Sequence, residues 1–217
     1  MVLDFFFPPR CGGCAARGDW FCASCWAAVH PARAGGCLRC GRETVIMPCP
    51  LCDAVDPALD GLAAPARLDG PLREAVHRLK YGDRPQLGSV LAELWRDWRP
   101  PDGPVVLVPV PLGRRRRRQR GYNQAEELAR WLARDRGLPL AADGLVRRRE
   151  TTSQVGRGGD ARRQALRDAF AWASGAAPEA VVVVDDVVTT GATMMECGVA
   201  CRRAGATRVY GLALAVG

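Results

Sequence analysis

Lysine is nearly absent from this chain. Of its 31 basic residues only Lys80 is a lysine, and an arginine-rich codon preference is the simplest account of that bias. Long apolar runs are missing as well. Nothing approaches the roughly 20 residues that a helix needs to cross a bilayer, so membrane insertion is not expected. The opening MVLDFFFPPRC puts an acid where an export signal needs positive charge, and Pro8 and Pro9 break its apolar stretch. The expected compartment is therefore the cytoplasm. No GxxxxGKS or GxxxxGKT string occurs, which leaves Walker-type nucleotide hydrolysis without support.

What is present suffices for one full α/β domain and a small appendage: 217 residues, 48% of them hydrophobic and 25% charged. A formal charge of +8 favours anionic partners, either phosphorylated metabolites or nucleic acid, without choosing between them.

Cysteine is concentrated at one end. Eight of the ten cysteines lie within the first 52 residues as four CxxC pairs, Cys11/Cys14, Cys22/Cys25, Cys37/Cys40 and Cys49/Cys52. A CxxC turn converges two thiolates on one tetrahedral centre, and two turns complete a site, so the spacing predicts two structural Zn²⁺ sites. Disulfides would need an oxidising compartment. Sequential pairing of the turns closes short loops and is favoured, while interleaving the first turn with the third and the second with the fourth also fits the spacing. With few aliphatic residues here, metal must supply the folding free energy. His30 reads as a surface residue, since each site already has four thiolates. Beyond Cys52, DAVDPALDG reads as a linker. It divides a double zinc ribbon, residues 1–57, from a second domain, residues 62–217.

That second domain is organised around VVVVDDVVTTGAT, from Val181 to Thr193. Four β-branched residues in a row make a strand buried on both faces, as in parallel sheets. Thr189, Thr190, Gly191, Ala192 and Thr193 then offer backbone N–H groups and hydroxyls where a helix begins, which is a ready phosphate site. Asp185 and Asp186 would repel phosphate and suit sugar hydroxyls or a divalent cation instead. A phosphate loop beside a diol clamp points to a phosphorylated ribose.

Upstream, Pro71 opens a helix carrying Leu72, Ala75, Val76 and Leu79 at helical spacing. Gly82 ends it, with Lys80 and Tyr81 in its last turn. A second amphipathic helix runs from about Leu87 to about Trp98. The strand Val105 to Val108 leads into Val110, Pro111, Leu112, Gly113 and Arg114, a rigid turn suited to an anion at a sheet's C-terminal edge. Arg115, Arg116, Arg117, Arg118 and Arg120 continue as a cationic loop, whose plain alternative is a solvated charged surface. Asn123 caps the next helix, with Glu126 completing a capping box. Leu145 to Ala173 mixes a short strand with a polar segment in which Arg157, Arg162 and Arg163 lie near the string Gly156 to Gly159, and it reads as a lid or as an ordinary surface loop. A helix to about Ala204, with Cys197 and Cys201 as small buried side chains, and a strand from Thr207 to Ala215 end the chain.

The thirteen-residue pattern resembles the loop for phosphoribosyl pyrophosphate (PRPP) in type I phosphoribosyltransferases. Together with the four CxxC pairs, HRLKYGD (His77 to Asp83), VPVPL and RGYNQ (Val108 to Gln124), it makes the whole chain similar to the ComF family. The resemblance implies a double zinc ribbon joined to a phosphoribosyltransferase-like doubly wound parallel sheet. In it Asp185, Asp186, Val187, Val188 and the loop to Thr193 would bind PRPP with Mg²⁺, and Val110 to Arg114 would take its pyrophosphate. It also implies a role in natural transformation, on incoming single-stranded DNA and beside DNA-uptake proteins, with Arg115 to Arg118 and Arg120 as the candidate track. Transfer of ribose 5-phosphate to an unknown acceptor and a zinc-ribbon adaptor role are the alternatives. Thr189 stands where purine-salvage transferases often carry aspartate, which disfavours purine salvage.

Overall fold

The computed structural model describes residues 8–32, 58–82, 84–149 and 166–217. Its strands are β1 (Gly61–Ala63), β2 (Ala66–Arg67), β3 (Val106–Pro109), β4 (Leu145–Arg147), β5 (Phe170–Trp172), β6 (Ala180–Val184), β7 (Val187–Val188), β8 (Arg208–Leu212) and β9 (Ala215–Val216). Its helices are α1 (Ala23–Ala27), α2 (Gly70–Tyr81), α3 (Gln86–Leu91), α4 (Arg114–Arg120), α5 (Gln124–Arg136) and α6 (Ala192–Arg203). A four-stranded parallel sheet, in the order β1-β8-β6-β3, forms the centre.

The valine run explains that centre. All five residues of β6 are buried, and because successive side chains point to opposite faces, the run serves two layers at once. Val182 and Val184 join Leu107 and the α5 residues Leu128, Ala129 and Leu132. Val181 and Val183 join Val108 and the α6 residues Cys197 and Cys201. The result is the expected helix–sheet–helix sandwich of an α/β domain. Both α6 cysteines are fully buried, as their spacing predicts, and burial pushes the Cys201 thiol up to about 12.

Three expectations change in detail, and a fourth lies outside the described residues. The helix expected to reach Trp98 is α-helical only to Leu91 and tightens into a 3₁₀ turn over Ala92–Trp95. That turn drives Trp95 into the core, where its Nε1 donates to the Ala213 carbonyl at 2.8 Å. The single strand expected from Thr207 to Ala215 is two. At the level where β6 ends in carboxylates, the chain leaves β8, the Leu214 N–H donates to the Asp186 carbonyl at 3.0 Å, and β9 pairs with β2 and β7 in a second parallel sheet. The arginine run is helix α4, not a loop. Gly113 precedes it in extended conformation and Gly121 ends it at φ 79°, while arginine itself is a good helix former. Finally, β4 and β5 form an antiparallel pair, and the segment read as a lid, with Arg157, Arg162 and Arg163, lies outside the described residues.

The first cysteine knuckle packs directly on this domain. Cys11, Phe21 and Cys25 share one buried cluster with Leu72, Ala75 and Leu87. Gly12 and Gly13 make that approach feasible, since a Cβ would lie 2.8 Å from Leu87 Cδ2 and 2.6 Å from Cys25 Sγ, respectively. Arg78 of α2 then donates through Nη1 to the carbonyls of Cys11 at 2.8 Å and Gly12 at 2.6 Å.

Candidate metal centre and acidic ligand pocket

Four thiols meet at the knuckle. The Sγ atoms of Cys11, Cys14, Cys22 and Cys25 all lie within 4.8 Å of one another, with Cys11–Cys25 and Cys14–Cys22 both at 3.6 Å. Tetrahedral Zn–S bonds of about 2.3 Å place sulfurs about 3.8 Å apart, so the donor set fits zinc with little adjustment. The described cysteines form no disulfide. Gathering the first two CxxC turns is the sequential pairing and excludes interleaving for these four. Cys37, Cys40, Cys49 and Cys52 lie outside the described residues. Without metal the thiols divide their protons unevenly. A hydrogen bond from Ser24 and the Cys25 N–H lower Cys22 to about 6, whereas burial raises Cys25 to about 12. His30 is exposed and pairs with Asp69 at 3.0 Å, away from the thiols' ligand set.

The second cluster lies at the C-terminal edge of the central sheet. β3 and β6 are parallel neighbours with Pro109 opposite Val184, and the Val110 N–H donates to the Val184 carbonyl at 2.9 Å. The turn from Val110 to Arg114 and the pair Asp185 and Asp186 therefore leave the sheet side by side. Asn123 fixes that turn twice over. Its Nδ2 donates to the Val110 carbonyl at 3.0 Å, and its Oδ1 accepts from Ala125 N at 3.1 Å to cap α5. Glu126 does not complete a capping box. It pairs with Arg130 at 2.6 Å and with Arg117 of α4 at 3.4 Å. Of the remaining arginines, Arg114, Arg115 and Arg118 are exposed, while Arg116 and Arg120 are half-buried.

Beyond the acids, Val187 and Val188 form β7, Thr189 is exposed and Thr190 half-buried, and Gly191 at φ 72° opens α6 with Ala192 and Thr193 in its first turn. Only Gly accepts that left-handed conformation without strain. Asp186 is 3% exposed. Asp185 Oδ1 accepts the Asp186 N–H at 2.8 Å, and burial, with the neighbouring Asp186 charge second, pushes the Asp185 carboxyl well above the usual carboxylate range. Two adjacent acids, Asp186 buried and Asp185 half-buried, need a cation, and Lys80 supplies it. Its Nζ lies 2.8 Å from Asp186 Oδ2. The approach satisfies charge but not direction, because Asp186 Oδ2 has no aligned hydrogen-bond donor. Burial, the largest single influence, would lower the lysine, yet the contact with Asp186 and the charges of Asp186 and Asp185 together outweigh it and raise Lys80 above its ordinary value.

Lys80 was not legible as a site residue from composition. Reading the arginine bias as a codon effect hides that the one exception stands on the acidic pair. The ammonium also answers whether these acids fit a resident Mg²⁺. One carboxylate already carries a cation, and no third acid or imidazole of the described residues joins them. The donor set does not fit a divalent metal held by the protein alone.

Comparison with known proteins agrees with this architecture. A model of the double zinc ribbon domain matches residues 2–55. The chain is similar to the DNA utilization protein YhgH of Salmonella typhimurium, 32% identical over 204 residues that cover 89% of each chain. Competence protein F of Haemophilus influenzae is 29% identical over 221 residues, 89% of this chain and 96% of that protein. The chain belongs to the ComF family. A crystal structure of TT1426 from Thermus thermophilus overlaps 64% of this chain at 19% identity with a TM-score of 0.32, too loosely to bear on the pocket. Among the described residues no helix is long and apolar enough to cross a membrane.

Proposed function

We propose that this ComF-family chain binds PRPP in the acidic pocket and acts on incoming single-stranded DNA in the cytoplasm during natural transformation; the names of its relatives speak of DNA utilization and of competence. The observation that carries the first half is the side-by-side exit of β3 and β6, which sets a diol-binding acidic pair beside an arginine-headed turn. In this reading Asp185 and Asp186 hold the ribose hydroxyls, Thr189 to Thr193 the 5-phosphate, and Val110 to Arg114 the pyrophosphate arriving with Mg²⁺. Residues 1–57 act as a double ribbon and residues 62–217 as the ligand domain.

The second half rests on the arginine run that the sequence singled out, together with an aromatic ring that it did not. Tyr81 is 62% exposed and the Arg120 guanidinium lies 4.7 Å from its ring centroid, while α4 buries none of its seven residues. An exposed aromatic ring beside a basic helix is the combination that holds unpaired bases and phosphates with little sequence preference. One set of titrations tests both halves. The double variant Asp185→Asn, Asp186→Asn should bind PRPP at least about tenfold more weakly, on the order of 1.4 kcal/mol, with oligonucleotide affinity unchanged. Serine at Arg115, Arg116, Arg117 and Arg118 should leave PRPP binding in place and flatten the salt dependence of oligonucleotide binding by roughly 0.7 per lost contact. PRPP affinity that ignores the aspartates would place the ligand elsewhere. An unchanged salt slope would remove α4 from the DNA track.

A further inference from the structure

We infer that Lys80 is a ligand-binding residue of the acidic pocket, one whose ammonium holds the pyrophosphate end of the bound phosphoribosyl compound. The inference rests on the PRPP reading above and assigns a residue that reading lacks.

Composition supplies the first observation. Arginine fills every other basic position of the 31, and the single lysine falls on the acidic pair at the end of β6. A guanidinium would fit the charge but not the use. Its planar fork grips a carboxylate in two places, whereas an ammonium is a compact point charge with three rotatable donors. Such a group can serve a carboxylate and a phosphate oxygen together, or move from one to the other, with little displacement.

Geometry supplies the second. Lys80 and Asp186 are 24% and 4% exposed at their side chains and 2.8 Å apart, yet Asp186 Oδ2 still has no aligned donor. The lysine thus neutralises an acid that is shut off from solvent, while its own side chain stays partly exposed. The turn that carries Lys80 is fixed from outside, since the Tyr122 hydroxyl donates to the Leu79 carbonyl.

Ligand chemistry supplies the third. In a phosphoribosyl pyrophosphate the leaving pyrophosphate is borne on the carbon next to that bearing the 2-hydroxyl. If Asp186 accepts from the diol, an ammonium within hydrogen-bonding distance of the same carboxylate stands beside the first phosphate. Asp186 and Lys80 together then read two neighbouring groups of one molecule.

The single lysine makes the test direct. Full-length, zinc-loaded protein carrying ¹⁵Nε-lysine has one labelled ammonium, observed while Mg²⁺-PRPP, Mg²⁺-pyrophosphate or ribose 5-phosphate is added. PRPP and pyrophosphate should each shift that resonance. Calorimetry should show Lys80→Met losing at least about tenfold in affinity for PRPP and for pyrophosphate while ribose 5-phosphate binds within about twofold of the parent. Lys80→Arg, which keeps the charge, should not restore the loss, and thermal melting establishes that both variants are folded. Wild-type binding of PRPP with no lysine shift, or equal weakening of PRPP and ribose 5-phosphate in Lys80→Met, would make the lysine a structural counter-ion only and leave the PRPP reading standing. Absence of PRPP binding by the wild type would overturn that reading and this inference with it.

Discussion

The knuckle and the acidic pocket each force like charges together, and they solve the problem differently. At the knuckle four thiols converge within 4.8 Å with no basic side chain among them, so the cation must come from solution. At the end of β6 two carboxylates converge with Lys80 already 2.8 Å away, so the cation is part of the chain. The difference decides what each site responds to. A thiol cluster is a switch for metal and stays competent only while zinc is supplied. The carboxylate pair carries its counter-charge within the chain and needs no metal to hold it.

The largest effect should follow from taking the external cation away. Zinc supplies about 10 kcal/mol or more to isolated knuckle peptides. Here part of that role falls to packing, because Cys11, Phe21 and Cys25 sit in the main core with Leu72 and Leu87. Chelation should therefore loosen α2 and α3 as well as the knuckle. A loss of about 4 kcal/mol would lower the melting midpoint by roughly 10 °C in a chain of this size. Metal analysis of the untreated protein should give close to two zinc ions per chain if the second four cysteines pair as the first do. Unaltered melting after complete metal removal would show that the knuckle is held by its core contacts alone.

A smaller effect is expected from removing the internal cation. Lys80→Met leaves two neighbouring acids without a partner and should cost about 3 kcal/mol. Adding Asp186→Asn should recover most of that loss, and a double-mutant cycle should give a coupling of about 2 kcal/mol. Independent, additive effects in denaturant titrations would mean that the ion pair contributes nothing beyond its separate parts.

Much of this arrangement was legible in the residues. The period of two in a four-valine run, the CxxC spacing, Pro71 and Gly82 around an amphipathic helix, and Asn123 as a cap all act within a few residues, where local physics decides. What escaped depends on long-range approach. The ion pair of Lys80 with Asp186 joins α2 to the turn just beyond β6, and no local pattern marks it. Nor does any mark Arg78 reaching the carbonyls of Cys11 and Gly12, or the chain crossing from β8 into a second sheet. The arginine run was misread for a related reason. Five adjacent like charges read as a solvated loop, but Glu126 of α5 accepts Arg117 at 3.4 Å, and glycines bound the segment at both ends.

The smallest effect has an unusual sign. Asp185 is a carboxyl whose folded value is pushed well above the usual range by burial first and by Asp186 second. Between the ordinary carboxylate value of about 3.9 and that raised one, the native state binds a proton that the unfolded chain has released. Stability must therefore fall as pH rises through this window, since slope follows the difference in bound protons. Asp185→Asn removes the titrating group while keeping an Oδ1 that can accept the Asp186 N–H, as Asp185 Oδ1 does at 2.8 Å. The variant should be more stable than the parent at neutral pH, by about 1 kcal/mol, and should lose that advantage near pH 4. Thermal melts at the two pH values measure it. An equal difference at both would place the effect in packing and not in charge. The expected pattern would mean that the chain keeps, at some cost in stability, an acid which its own fold disfavours, and the reason then lies in what the pocket binds.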